Sequence, residues 1–330
     1  METLNMEINN IGPILGNLSA KIKNVPDLGY TYLRRPRNEN VGPEGPMKNA
    51  LGVVEFPLPA ILIALGIRSM TLEGSPDLMS LYDLTVTLPA ETVQGQWVYY
   101  KDEAVLAALR EVFQKCSTVS FDDWSHMAGA SDLWEGLLRD VIRPVGKNDI
   151  EFIFYLGDAM RKLWFEVDEA LDIISAFSKH GNVTFALDEN EAVKLWMVLN
   201  GVHQETLTGQ TNTDLKKKYF SVFRTMSIAR LVIYSATNVI VFSEAKQFVL
   251  SRRLVDERVE IGPDARRDFI AGYSTGFLMD YEPAHCVALG LIVFGAAGEL
   301  QADPEQKDLL AYIDRWIADL NKPDAIYLYQ

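Results

Sequence analysis

Histidine and cysteine are scarce in this chain, and a surplus of positive charge is missing. Only four histidines occur, His126, His180, His203 and His285, scattered without the close spacing that a zinc or iron site uses. A histidine-centred catalytic or metal site is therefore not expected. The two cysteines, Cys116 and Cys286, stand in no paired spacing, which excludes a disulfide framework and points to a reduced, cytoplasmic setting. Basic residues number 31 against 45 acidic ones, a net charge of −14, and that argues against a nucleic-acid surface. It leaves phosphorylated ligands open, because a local field can oppose the net charge.

Long apolar runs are also lacking. Leu51 to Ile67 is broken by Glu55, Pro57 and Pro59, and Val287 to Gly298 is uncharged but reaches about half of the ~20 residues a span needs. No membrane partner is expected. The opening residues Met1 to Glu7 lack the basic and apolar blocks of a signal peptide. No internal repeat, low-complexity tract or Walker-type phosphate loop occurs.

What remains is ordinary globular material: 330 residues, 48% apolar and 23% charged, enough for one large α/β domain. The first hundred residues are irregular. Ile8 to Leu18 reads as a strand, Pro36 to Pro46 as loop, and Ala60 to Gly66 as helix-compatible. Arg68 to Leu72 reads as a strand. Thr85 to Leu88 and Gln96 to Tyr100 read as short strands, paired as a hairpin around Ala90 to Gly95. Beyond residue 100, strands alternate with helices of 10 to 16 residues. Ile150 to Leu156, Val183 to Leu187 and Leu231 to Tyr234 are strands. Glu103 to Cys116, Asp132 to Ile142, Val167 to Lys179, Glu189 to Leu199 and Asp214 to Ala229 are helices. Val239 to Phe242 and Gln247 to Leu250 read as an antiparallel pair. Helices near Arg267 to Met279, Pro283 to Glu299 and Pro304 to Leu320 close the chain. The alternation predicts an α/β fold with a mostly parallel central sheet, helices on both faces, and a small β lid.

The most informative segment runs from Gly262 to Gly276, with Asp264, Ala265, Arg266, Arg267 and Asp268 ahead of Phe269, Ala271 and Gly272. Four further stretches accompany it. Phe154 to Arg161 carries Asp158 and Arg161, and Ala186 to Ala192 carries Asp188 and Glu191. Leu231 to Asn238 ends in Ser235, Thr237 and Asn238, and Pro283 to Gly298 is rich in small residues. In order and spacing these stretches resemble the ribokinase/PfkB family of carbohydrate kinases, from about Asp122 to Trp316.

That resemblance implies a single ribokinase-like domain over 1–330, with lid segments within about 28–40 and 82–100. It implies ATP-dependent phosphoryl transfer to a sugar hydroxyl with Mg2+ and ATP, and a sugar or nucleotide as the small-molecule partner. A homodimer through the lid is implied as well. Family roles map residue by residue. Asp264, Ala265 and Arg266 occupy the glycine-rich, phosphate-binding turn, and Arg267 stands at the catalytic base position. Asp188 and Glu191 lie over the motif that organises magnesium and phosphate, and Ser235, Thr237 and Asn238 over the nucleotide contacts. Asn17, Lys21 and Gly52 fall in the sugar-binding runs. There Val53 replaces a second glycine, Pro57 an asparagine, and Lys21 the sugar-gripping aspartate.

Arg267 cannot accept a proton at physiological pH, so the resemblance implies a kinase that is weakened or inactive. Its alternative is a catalytically silent scaffold that binds a ligand or a protein. Arg266 and Arg267 can form an anion site at a helix N-terminus, or a solvated pair beside Asp264 and Asp268. Asp264 suits an N-cap, and Asp268 points about 100° from the base position around the helix. Glu191 can either favour a helix macrodipole or serve a metal's water shell.

Overall fold

The computed structural model describes residues 11–24, 61–62, 65–67, 96–121, 124–202, 214–235, 238–244, 247–251, 268–300, 302 and 304–320 in full. It describes the backbone alone at 5–7, 47–48, 53–57, 68–70, 85–89, 212–213 and 265–267. In chain order come β1 (Asn5–Glu7), α1 (Ile11–Lys23), β2 (Met47–Lys48), β3 (Val53–Pro57), β4 (Ile67–Met70) and β5 (Thr85–Pro89). The regular part holds α2 (Glu103–Lys115), β6 (Thr118–Phe121), α3 (Ala130–Leu137), β7 (Ile150–Tyr155), α4 (Trp164–Phe177), β8 (Gly181–Asp188), α5 (Glu189–Leu199), α6 (Asn212–Thr225) and β9 (Arg230–Tyr234). Strands β10 (Asn238–Ser243) and β11 (Gln247–Ser251) follow, then α7 (Ala265–Leu278), α8 (Pro283–Leu300) and α9 (Gln306–Leu320). The chain divides into two compact units, one of residues 1–27, 235–240 and 248–330, the other of 28–234 and 241–247.

In the larger unit the strands are ordered β9-β8-β7-β6-β4. β6 to β9 run parallel and β4 antiparallel to β6, which is the expected mixed, mostly parallel α/β sheet. The parallel strands are buried almost end to end, as sheets joined by helical crossovers must be. Their register stacks Phe121 on Phe154, rings 4.3 Å apart, and Trp134 and Phe177 meet both edge-on. Each such ring removes a large apolar area from water, making this the centre of the core. At the opposite end of the strands, Glu151 of β7 binds Asn182 of β8 and Arg230 of β9, and Arg230 also donates to Thr184. That polar rung holds three adjacent strands in register. Burial pushes the Glu151 carboxyl up, against the pull of Arg230.

A second, three-stranded antiparallel sheet is ordered β2-β3-β5. Here the structure corrects a sequence expectation. The partner of β5 is β3, with Val53 opposite Pro89, and not the segment 96–100. Trp97–Tyr100 is a 3-10 turn, because two aspartates fix Trp97 from far along the chain. Its N–H donates to Asp132 at 2.6 Å and its indole N–H to Asp140 at 2.5 Å, while the ring covers Gly136. Of the proposed lid, 28–40 lies outside the described residues.

The smaller unit is helical around α8. A second correction falls here: Ile11–Lys23 is a helix, not the end of a strand. Pro13 sits in its first turn, where its missing N–H leaves no bond unmade, and Ile11, Leu15, Leu18 and Ile22 line the buried side. The side chain of Gln306 on α9 donates to the Ile22 carbonyl at 2.6 Å, tying the helix end down. Helix α8 is long and apolar enough to cross a membrane, yet 61% of it is buried within the protein. It crosses α7 through glycines. A Cβ on Gly272 would lie 2.5 Å from the Leu289 carbonyl oxygen, and one on Gly290 would lie 2.8 Å from the Phe269 ring.

Candidate functional site

In the larger unit, polar groups collect where the parallel strands end, the edge at which open α/β sheets bind ligands. Strand β8 ends at Asp188, and the residue switches to capping α5. Its Oδ1 accepts the Glu191 N–H at 2.8 Å, and Glu191 Oε2 accepts the Asp188 N–H at 3.0 Å. This reciprocal capping box satisfies two N–H groups that a helix start otherwise leaves unpaired. The other oxygen of Glu191 accepts the hydroxyl of Tyr155, the last residue of β7, at 2.5 Å. Such a short contact is typical of a hydroxyl donating to a carboxylate.

Glu191 is 2% exposed. Each of its oxygens receives one protein donor, which leaves half of the carboxylate's acceptor capacity unassigned by these bonds. The structure adds a role not read from sequence, a reciprocal capping box with Asp188, at the first turn where the macrodipole reading also placed Glu191. Among the described residues no group of three or more His, Cys, Asp or Glu side chains could hold a metal ion.

Asp158 caps the 3-10 turn after β7, accepting the Met160 N–H at 3.1 Å, and pairs with Lys194 of α5 at 2.6 Å. Burial raises the Asp158 pKa, but Lys194 and the Met160 N–H together hold it below the usual carboxylate range. Glu189 is displaced the other way, upward, by burial and by the charge of Asp188. Tyr219 of α6 is buried, and its hydroxyl has no hydrogen-bond partner among the described residues. Burial and the charges of Glu189 and Asp188 push this phenol up, so it stays protonated and able to donate. Tyr155, Lys194 and Tyr219 were not singled out in the sequence. Tyr155 and Lys194 each come from a different element from the carboxylate they bind.

In the smaller unit, Ser235 and Asn238 close a turn on each other. The Ser235 N–H donates to the Asn238 carbonyl at 2.8 Å, and the Asn238 N–H to Ser235 Oγ at 3.1 Å. Thr237 lies outside the described residues, as do Gly52 and Asp264. Ala265, Arg266 and Arg267 form the first turn of α7, described as backbone. Asp268, next along, is 3% exposed, and Phe269 is buried against α8. Asn17 and Lys21 are exposed on α1, with the Lys21 ammonium 3.9 Å from the Tyr281 ring centre. Sequence thus marked residues of both units: Asp158, Arg161, Asp188 and Glu191 in the larger, the remaining described ones in the smaller.

The sheet order defines an α/β protein with a mixed, mostly parallel sheet. Comparison with solved structures finds sugar and nucleoside kinases. Ribokinase from Arabidopsis thaliana, solved with ribose and ATP, is 10% identical, with 70% of this chain and 65% of that one covered and a TM-score of 0.47. Adenosine kinase from Sinorhizobium meliloti is 15% identical, covering 62% and 56%, with a TM-score of 0.47. A carbohydrate kinase from Agrobacterium tumefaciens is 14% identical, covering 71% and 64%, with a TM-score of 0.42. The chain thus spans less than two thirds of the length of these structures. No family model matches the sequence, and no curated protein matches it.

Proposed function

We propose that this protein is a ribokinase/PfkB-type carbohydrate kinase scaffold whose phosphoryl transfer is weakened or lost. The observation that carries the reading is the start of α7. By the sequence resemblance Arg267 falls at the position where the family has its proton acceptor, and it lies in the first turn of α7 beside the buried carboxylate of Asp268. An arginine stays charged at any physiological pH and has no acceptor lone pair. Removing a general base typically costs about 10²–10⁴ in rate. In an active relative of this kind, ATP would supply the phosphoryl group, magnesium would neutralise its charge, and backbone donors and positive side chains would stabilise the transfer. Here Arg266 and Arg267 would favour binding an anion at the helix start over moving a proton.

The engaged state of Glu191 favours a second reading, a silent scaffold that keeps a ligand or partner surface. Both of its oxygens serve the fold. Magnesium- and ATP-dependent ADP release, measured over pooled sugars and nucleosides for the wild type and Arg267→Asp, separates the two. Activity gained by the variant alone identifies Arg267 as the lesion in an otherwise competent kinase. Acceptor-dependent turnover by the wild type refutes the proposal of lost transfer, and silence in both proteins leaves the scaffold reading.

A further inference from the structure

Helix α4 buries Val167, Ala170, Leu171, Ile174 and Phe177 in the larger unit's core. Its outer side begins with large apolar residues that face water. Trp164 is 69% exposed, Leu163 59% and Phe165 52%, and Met160 in the preceding turn is 45% exposed. Four such side chains in six residues form a patch, not scattered exposure. The turn that carries them is fixed. Asp158 accepts the Met160 N–H, Glu166 accepts the Leu163 N–H at 2.8 Å, and Lys162 donates to the Met127 carbonyl at 3.2 Å. The apolar side chains are therefore held outward by an ordered backbone.

The same helix side continues with Asp168, Glu169 and Asp172, all exposed. Asp168 and Glu169 lie one turn below Trp164 and Phe165, and Asp172 one turn further. Among the described residues none of the three has an ion pair or hydrogen bond. An aromatic anchor thus leads into three uncompensated carboxylates over about 12 Å of helix. A second copy of this chain would bring identical carboxylates against these, on a molecule that already carries a charge of −14. An anionic lipid surface or a nucleic acid would be repelled in the same way.

We propose that this side of α4 docks a protein partner through a cationic amphipathic segment. Its apolar residues would cover Met160, Leu163, Trp164 and Phe165, and its lysines or arginines would meet Asp168, Glu169 and Asp172. The apolar contacts supply affinity, and the charges supply orientation and association rate.

The test uses a fluorescein-labelled 18-residue helical peptide with leucines on one face and lysines on the other, titrated with the full chain and read by anisotropy. Trp164→Ala/Phe165→Ala is expected to weaken binding about tenfold, as loss of a central aromatic anchor does. Asp168→Lys/Glu169→Lys/Asp172→Lys is expected to weaken it at least about tenfold and to flatten its salt dependence. Glu135→Lys/Asp149→Lys/Asp314→Lys changes the net charge equally at other exposed sites and should stay within about twofold. All the substituted positions are exposed, and circular dichroism of each variant checks that the fold is kept. Equal loss in the two charge-reversed proteins, an unchanged Trp164/Phe165 variant, or no peptide binding by the wild type overturns the proposal. So does tighter binding to phosphatidylserine vesicles than to the peptide.

Discussion

One substitution, glycine to alanine, should have opposite effects at two helical positions of the same compact unit. On α1, Gly16 is exposed, and an added Cβ meets nothing within 4 Å. Alanine there removes backbone freedom from the unfolded chain and should stabilise by about 0.5–1 kcal/mol. On α7, a Cβ at Gly272 lies 2.5 Å from the Leu289 carbonyl oxygen and 2.9 Å from the Gly290 Cα. Ordinary contacts begin near 3.4 Å, so α7 and α8 must separate by several tenths of an ångström to almost one. Both obstacles are backbone atoms, so no rotamer can relieve them. Overpacking of this kind costs about 1–3 kcal/mol, and a rigid obstacle places Gly272→Ala at the upper end. Offset by the gain in helix propensity, the net loss is about 2 kcal/mol. Urea unfolding followed by circular dichroism should show the midpoint falling by roughly 0.5–0.7 M for Gly272→Ala, since m for a chain of this size is about 3–4 kcal/mol/M, and rising for Gly16→Ala. A Gly272→Ala protein at or above the wild-type midpoint would refute the account of how α7 and α8 pack.

Two further outcomes test the polar groups. Glu191→Gln should cost about 1–2 kcal/mol through the cap and the Tyr155 bond, and Tyr155→Phe about 1 kcal/mol, both read by urea unfolding. If the pair acts as one unit, the double variant loses less than the sum of the two; strict additivity would refute the coupling. His285 has its pKa lowered by burial and by the nearby Lys21 charge, and its Nδ1 is buried without a partner among the described residues. Its folded state therefore favours the neutral ring. That contribution is complete above the ordinary histidine value of 6.5 and is lost as pH falls through the lower folded value. Unfolding midpoints at pH 7.5 and 5 should show a decline that His285→Gln reduces. An identical decline in the variant would assign it elsewhere.

What the sequence disclosed depended on how far each residue's partner lies along the chain. The elements after residue 100 were readable because their apolar spacing is local. Leu133, Leu137, Leu138 and Val141 recur at helical intervals, and all are buried. The helix start at Asp188 and Glu191 was readable for the same reason, since a capping box is complete within four residues. Segment 96–100 was misread because its conformation is imposed from outside. Trp97 is fixed by Asp132 and Asp140, 35 and 43 residues away, and that anchoring outweighs its β propensity. The strand expected at Ile8 to Leu18 failed differently. Its isoleucines suggest β structure, but Pro13 belongs to the first turn of a helix, and the buried positions follow a helical period.

The candidate site shows the same division between local and imposed structure. Tyr155 reaches Glu191 and Asp158 reaches Lys194, each across 36 residues, the length of one crossover from β7 to α5. No single-sequence pattern marks such pairs, because they form only when parallel strands bring their ends together. This also bears on what Glu191 does. A carboxylate conspicuous in the sequence suggests chemistry, yet here its two oxygens hold a strand end to a helix start. A functional role at this edge would have to use the acceptor sites that these two bonds leave on the carboxylate. Replacing Tyr155 with phenylalanine removes one of those two bonds and frees acceptor capacity on Glu191 Oε1. A magnesium-dependent rise in unfolding midpoint in Tyr155→Phe, absent from the wild type, would show that Tyr155 holds the carboxylate away from metal. No such rise would place the barrier to metal binding in the burial of the site itself.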